Sequence, residues 1–584
     1  MGSIDIHTQT VSILKKVFNG TRNNRVLEPR STEYSEASKT PRWPFPSFLP
    51  WAMHLTNSRL VFIGNLNYRW ATPLAVVQAK SIKDVQDAVN FARTHGVNLT
   101  VKNGGHSYMG YCLNVDGIVL DLSLMNDCEI DVNKDEVWMQ GGCIWKQVYK
   151  KLPEENRNTI VIGGQCPYVG VSGFTLGAGI SPFSRSYGLG CDNLLEMKVV
   201  TYDGELVTVS PNHPEKRNRD LFWAMTGGGG GNFGVTVEMT CRTHKLKDPN
   251  GDVVCGQLKW YLPQQEEAFR NAMNVFNTTK QPPELTIDAL WTHGKKKQLI
   301  GGMTVIYNGG MNAAMNTLQP FLACAPAEIN LKQRAWSDWV DESEGWDKKS
   351  DVYHHHASFI FAEGAITPEL NAKISSIIKE ASELVGITDE NEYNNPKCHF
   401  LWDHIGAKTE ERRPEDTAFW WRQGHYVSNI KLQWTDPEKS DEIMSFICKC
   451  KEILLPYAIE GKAAYINYID STVFDWETAY YGGNYRRLQK VKSDWDPTNG
   501  FSFWQSIKPL PRDALMPIDN VPSMPPSKEE VMAMELVKRT IRWWKEAEDF
   551  VVLFRALSSE EDVYEKDADL RRLTVRQQFF ARWR

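Results

Sequence analysis

The chain has 584 residues, 42% hydrophobic and 24% charged, enough to bury a large core and more than one domain usually holds. Its 72 acidic against 66 basic side chains leave a formal charge of −6, so no overall positive field exists to hold a phosphate backbone, and nucleic acid is not an expected partner. No apolar run approaches the ~20 residues that cross a bilayer, so no membrane span is expected.

The N-terminal "MGSIDIHTQTVSILKKVF" lacks a basic n-region, a long apolar h-region and a small-residue cleavage site, which predicts an intracellular, cytoplasmic product. The 11 cysteines are scattered and odd in number, a pattern of reduced thiols rather than of a disulfide framework. Residues 39–66, "KTPRWPFPSFLPWAMHLTNSRLVFIGNL", carry prolines at 41, 44, 46 and 50 among large apolar side chains, which suits neither a regular helix nor a central strand. We therefore set 1–67 apart as an N-terminal segment with an atypical Pro/Trp-rich stretch.

After Pro73 the pattern becomes regular. "LAVVQAK" reads as a strand, Ser81 and Asp84 as a capping box, and Val85, Ala88, Val89 and Ala92 as the apolar stripe of a helix that Gly96 stops. "VNLTV" follows as a second strand and runs into Asn103-Gly104-Gly105-His106-Ser107, a loop suited to presenting backbone N–H groups to a ligand. Further strands are expected at 117–123 and 136–142, an amphipathic segment at Ile144–Leu152, and a hairpin in "MKVVTYDGELVTVS" with Asp203-Gly204 as its turn. "DLFWAMTGGGGGNFGVTVEMTCRT" leads from a helix through five glycines into a strand, closing an α+β region over 68–246. Residues 247–464 are more aromatic, with strands alternating with polar helices. A last fold-like stretch ends near 511, and 512–584 reads as a charged helical or disordered tail.

Which chemistry these stretches carry is not decided by any one of them. His106 and Cys166 lack partners at zinc-ligand spacing, and three successive histidines, 354–356, cannot all point at one ion, so no metal is expected. A Cys–His hydrolase is disfavoured because Pro167 follows Cys166 directly and no helix N-terminus lies there to lower the thiol pKa. "TGGGGGNFG" has no following Gly-Lys-Ser/Thr, which excludes a P-loop. The glycines at 163, 164, 170, 173, 177 and 179 instead suggest a chain lying flat against something large.

Taken in order, "VKNGGHS", "GGQCPYVGVSGFTLGAG", "YGLGCDNLLEMKVVTYDGE", "DLFWAMTGGGGGNFG", "YINYID" and "NYRRLQKVKSDWDPTNGFSFWQSI" resemble the berberine-bridge-enzyme-like flavoproteins of the vanillyl-alcohol-oxidase superfamily. The resemblance covers about 68–508. It implies a PCMH-type FAD-binding domain at 68–246, a substrate domain at 247–464 with an antiparallel sheet flanked by helices, and a flavin-contacting segment at 465–511. It also implies that His106 and Cys166 tether FAD at two points, with Gly104, Gly105, Ser107, Gly170, Gly173 and Asn232 against the cofactor. Val169 matches a position where valine leaves room for oxygen, and Ala178 departs from a usual glycine. Tyr465, Asn467 and Tyr468 are expected to alternate as on a strand, with Tyr468 the general base. A phenol near pKa 10 needs help to act as one at neutral pH. Lys431, on a polar strand face with Asn429 and Gln433, is the expected helper, and Asp403 and His404 are further candidates. Asn484, Arg487 and Asn499 match the C-terminal flavin-facing segment.

Tryptophans 402, 420, 421 and 434 with Tyr426 suggest an aromatic lining for a flat substrate. The function so implied is an FAD-dependent oxidase that takes a hydride from a small alcohol, amine or activated C–H, with oxidative cyclisation as one outcome, and reduces O2 to H2O2 in secondary metabolism. An FAD-dependent dehydrogenase, a carbohydrate oxidase and a non-redox flavin-bound cyclase or scaffold remain as alternatives.

Overall fold

The computed structural model describes residues 26–27, 65–68, 71, 73, 75–114, 117–293, 298–342, 352–387 and 397–511. The readings made for 39–64 and for 512–584 fall outside them.

Strands β1 (Val26–Leu27), β2 (Ala75–Gln78), β3 (Leu99–Lys102) and β4 (Ile118–Asp121) form a sheet of order β1-β2-β4-β3, with β2 and β3 parallel to β4. The expected helix between β2 and β3 spans Ile82–His95. Ser81 and Asp84 close its capping box, and Gly96 ends it in the left-handed region at φ 62°. At the end of β3 the buried Lys102 ammonium pairs with Asp121 at 3.2 Å, and the chain turns into the Asn103–Ser107 loop.

A second sheet contains β5 (Cys128–Asp131), β6 (Glu136–Gln140), β7 (Thr159–Val161), β8 (Leu194–Val200), β9 (Leu206–Val209) and β10 (Val235–Lys245). The β8–β9 hairpin turns through Gly204 at φ 85°, a conformation glycine adopts without steric cost. The amphipathic segment is the helix Trp145–Glu155, whose inner face, Trp145, Val148, Tyr149 and Leu152, is buried.

The third sheet is antiparallel and seven-stranded: β11 (Asp252–Leu262), β12 (Leu285–His293), β13 (Leu299–Tyr307), β14 (Glu328–Ala335), β15 (Tyr353–Phe361), β16 (Lys397–His404) and β17 (Tyr426–Trp434), in the order β14-β11-β13-β12-β16-β17-β15. Period-two alternation divides its residues between two faces. Leu285, Ile287, Ala289 and Trp291 of β12 and Cys398, Phe400 and Trp402 of β16 pack in one core with helices 266–278, 368–384 and 440–454. Asp288, Leu290, His399, Leu401 and Asp403 face the other way, into a cavity. The fold is the expected mixed one, a flavin-type α+β half and a substrate half built on a helix-backed antiparallel sheet.

Candidate active site

A cavity of about 790 Å3 lies between the glycine-rich loops and the open face of the seven-stranded sheet. Its size falls in the usual range of roughly 300–1,000 Å3 for ligand sites. His106, Cys166, Val169, Gly170 and Gly173 line it from the loops, together with Gly104, Gly105 and Ser107.

The two loops carrying His106 and Cys166 touch through glycine. A Cβ on Gly104 would lie 2.6 Å from the Gly170 nitrogen and 2.7 Å from the Tyr168 carbonyl, and one on Gly170 would fall 2.4 Å from Asn103 Cγ. Asn103, which the sequence placed in this loop without a role of its own, fixes the junction by donating to the Gly141 carbonyl at 2.5 Å and to Ser172 Oγ at 2.7 Å. By contrast, nothing lies within 4 Å of a Cβ built on Gly173, and only Leu176 comes as close as 4.0 Å at Gly230. Bare backbone at these positions leaves room for a large flat group, so the residues fit a flavin dinucleotide. Burial and the nearby Lys431 charge lower the His106 pKa to about 3, so its imidazole is neutral at neutral pH.

Two expected flavin contacts lie elsewhere. Asn232 is buried, donates to the carbonyls of Gly228, Gly229 and Gly230, and accepts from Ile507 N, so it shapes the glycine loop from behind and does not line the cavity. Asn499, at φ 57°, belongs to the turn around Asp496, where the buried Lys492 ammonium bonds Asp496, the Asn232 carbonyl and the Phe501 carbonyl. Asn484 donates to the carbonyls of Pro414 and Thr417, and Arg487 stacks on Trp223 at 3.7 Å and pairs with Asp220; neither lines the cavity.

"YINYID" is not a strand. Ile466–Tyr468 is a 3-10 turn, so Tyr465, Asn467 and Tyr468 converge on the cavity instead of alternating about a sheet. Tyr465 Oη accepts from the backbone N–H groups of Gly179 and Ile180 at 3.2 Å, and Asn467 Nδ2 donates to Tyr465 Oη at 3.2 Å and to the Phe174 carbonyl at 2.9 Å. Both therefore brace the cysteine loop's helix.

Tyr468 Oη donates to Asp403 Oδ2 at 2.8 Å. Burial, then the Asp403 charge, hold the phenol well above its usual pKa of 10. Burial raises Asp403 to about 7, with the Tyr468 hydrogen bond pulling it down in part. Asp288, on the neighbouring strand and also in the cavity wall, is raised well above the ordinary carboxyl value by burial and by Asp403. The side chain that Tyr468 Oη bonds is thus a carboxylate, whereas the Lys431 ammonium lies over the Tyr108 ring, 4.7 Å from its centroid.

The expected aromatic lining is also corrected. Trp402, Trp434 and Tyr426 are at most 1% exposed and belong to the core, because on β16 and β17 alternation turns them away from the cavity, and Trp421, equally buried in the loop before β17, donates its indole N–H to the Ala479 carbonyl at 2.8 Å. Trp420 packs on Gly482 and Gly483. The cavity side instead carries His354, His356, His399, Asp403, Asn429 and Lys431. His355, between two of these, points the other way and bonds Asp470 at 3.0 Å.

Comparison with known proteins agrees with this geometry. The FAD binding domain model matches residues 73–210, and the berberine and berberine-like model matches residues 464–508. The FAD-linked oxidoreductase YgaK of Bacillus subtilis (strain 168) is 28% identical over 450 residues, covering 75% of this chain and 92% of the relative. Tetrahydroberberine oxidase of Berberis wilsoniae is 25% identical over 475 residues, covering 75% and 86%. The solved berberine bridge enzyme of Eschscholzia californica superposes with a TM-score of 0.69 at 19% identity, over 86% of this chain and 99% of that one. With an FAD binding domain and a berberine and berberine-like domain in order, the same fold as berberine bridge enzyme, and glycine loops shaped for a flavin, the chain is similar over 75% of its length to the FAD-linked oxidoreductases.

Proposed function

We propose that the protein is an FAD-dependent oxidase that removes a hydride from a polar small molecule, with His106 and Cys166 each forming one covalent bond to the cofactor. The bound flavin supplies the hydride acceptor, and its reoxidation by O2 yields hydrogen peroxide. His106 is kept neutral by burial and by Lys431, which suits it to bond an electrophilic carbon. Val169, on the cavity wall beside Cys166, offers a small side chain where oxygen would approach.

The hydrogen bond from Tyr468 to Asp403 carries the reading. A substrate O–H or N–H gives its proton to Tyr468 Oη while the phenolic proton passes to Asp403, so no free phenolate is needed. A carboxyl with a pKa of about 7 is matched to that task at neutral pH. The polar sheet face favours an alcohol- or amine-bearing substrate over a flat hydrocarbon.

The test is acid denaturation of purified wild type, His106→Ala, Cys166→Ala and the double variant. Flavin absorbance should stay with the polypeptide in the first three and be lost in the double. Release from wild type would overturn the two-tether reading. Bleaching of the flavin by substrate without oxygen, followed by peroxide formation on aeration, would establish the oxidase; slow reoxidation would favour a dehydrogenase.

A further inference from the structure

One group of cavity residues lies outside the two tethering side chains and the Tyr468–Asp403 pair. The β15–β17 and β16–β17 registers place His356 opposite Lys431 and Lys431 opposite His399, so the three form one row across adjacent strands with the lysine in the middle. Directly opposed residues project from the same face with Cβ atoms about 4.5–5.5 Å apart. All three line the cavity, and the next row adds His354 and Gln433.

The electrostatics of this row favour an anion. Groups facing Lys431 are Lys397 and His399 of β16, His356 of β15, and Cys166, His106 and Tyr108 of the loops. Burial lowers Lys431 to about 8, so it remains mostly charged at neutral pH. Burial and neighbouring charge lower His356 and His399 to about 3, leaving neutral imidazoles; His399 Nε2 donates to Asn429 Oδ1 at 3.3 Å, so His356 is the imidazole with an N–H to offer a ligand. His356 is 1% exposed, and among the described residues neither of its ring nitrogens has a side-chain hydrogen-bond partner. A cavity wall holding one ammonium and polar N–H groups in low dielectric is suited to a carboxylate, since charge-assisted hydrogen bonds are roughly twice as strong as neutral ones.

We propose that the His356–Lys431–His399 row is the recognition site for a carboxylate on the substrate, making the substrate an organic acid oxidised at a separate carbon. This rests on the cavity being the oxidase's substrate site. Along β16, His399 and Asp403 are four residues apart, about 13 Å between their Cα atoms. A substrate that engages both the row and the relay is therefore an extended molecule, and a two- or three-carbon hydroxy acid is too short.

Isothermal calorimetry on the flavin-loaded protein at neutral pH, with benzoate and its neutral counterpart benzamide as probes, tests the site without knowledge of the substrate. Wild type is expected to bind benzoate roughly tenfold or more tightly than benzamide. Lys431→Met should abolish that preference, Lys431→Arg should keep most of it, and His356→Leu should weaken it. Equal affinity of wild type for the two probes, binding of neither, or a benzoate preference that survives Lys431→Met would overturn the proposal. If Lys431→Met does not fold, His356→Leu decides by the same comparison. Flavin content, read from absorbance on the same samples, separates the two claims: a benzoate preference in protein that carries no flavin would sink the redox reading and leave the anion site standing.

Discussion

An exposed aspartate is a weak base at pH 7, and an exposed tyrosine a weaker one in practice because it is protonated. Burial in one cavity changes both, raising Asp403 to about 7 and holding Tyr468 as a neutral donor to it. Two outcomes follow at the scale of single residues. Asp403 must be ionised to accept the proton, so substrate-driven flavin reduction should rise with pH through about 7 and level off above it. In Asp403→Asn that limb should vanish and the rate fall by about 10²–10⁴-fold, measured by anaerobic stopped-flow absorbance. Stability should respond in the opposite sense. The folded pKa lies above the unfolded value near 3.9, so the folded state binds the extra proton, and this stabilisation is lost as pH rises from about 4 through 7. The urea midpoint of wild type should therefore drop relative to Asp403→Asn across that window. That Tyr468 faces the cavity was expected from its motif, whereas Asp403 was only one of several candidates in "LWDHIGAK". Its partner lies 65 residues away in sequence, and no local pattern reports such a contact.

At the scale of elements, the strands, the capped helix and the glycine turn of the β8–β9 hairpin were readable because each depends on neighbours within a few residues. "YINYID" misled because alternating polar and apolar residues also fit a short 3-10 turn, and the turn was selected by bonds to Gly179, Ile180 and Phe174. Arg185 has no sequence signal at all. Its buried guanidinium donates to the carbonyls of Leu285, Ile405 and Gln281, tying the ends of β12 and β16, the strands that bear Asp288 and Asp403, to the flavin-binding half. Arg185→Met should leave those carbonyls unpaired and destabilise the protein by several kcal/mol, at about 1–3 kcal/mol for each orphaned group, measured by chemical denaturation. Gly104→Ala tests the loop junction. Its Cβ would press on backbone atoms at 2.6 and 2.7 Å, so the variant should lose about 1–3 kcal/mol and show a lower flavin-to-protein absorbance ratio.

For the whole molecule, the cavity is walled on one side by glycine loops and on the other by a helix-backed sheet, so a ligand bound there contacts both halves. The flavin-free His106→Ala/Cys166→Ala protein should therefore melt at a lower temperature than holoprotein. Added FAD should restore part of the difference, about 2.7 kcal/mol at a hundredfold excess over Kd, in thermal unfolding followed by tryptophan fluorescence. An unchanged melting temperature on FAD addition would show that the folded double variant does not bind the dinucleotide. By itself the sequence determined the two domain signatures, the α+β character, and the loops that present His106 and Cys166, because these rest on short ordered motifs and local periodicity. Only the tertiary structure decided that the tryptophans line cores, that Tyr468 pairs with a carboxylate, and that Lys431 sits between two histidines. The reason is physical: which face of a strand meets the cavity, and which charges meet there, is set by cross-strand register and burial among residues far apart in the chain.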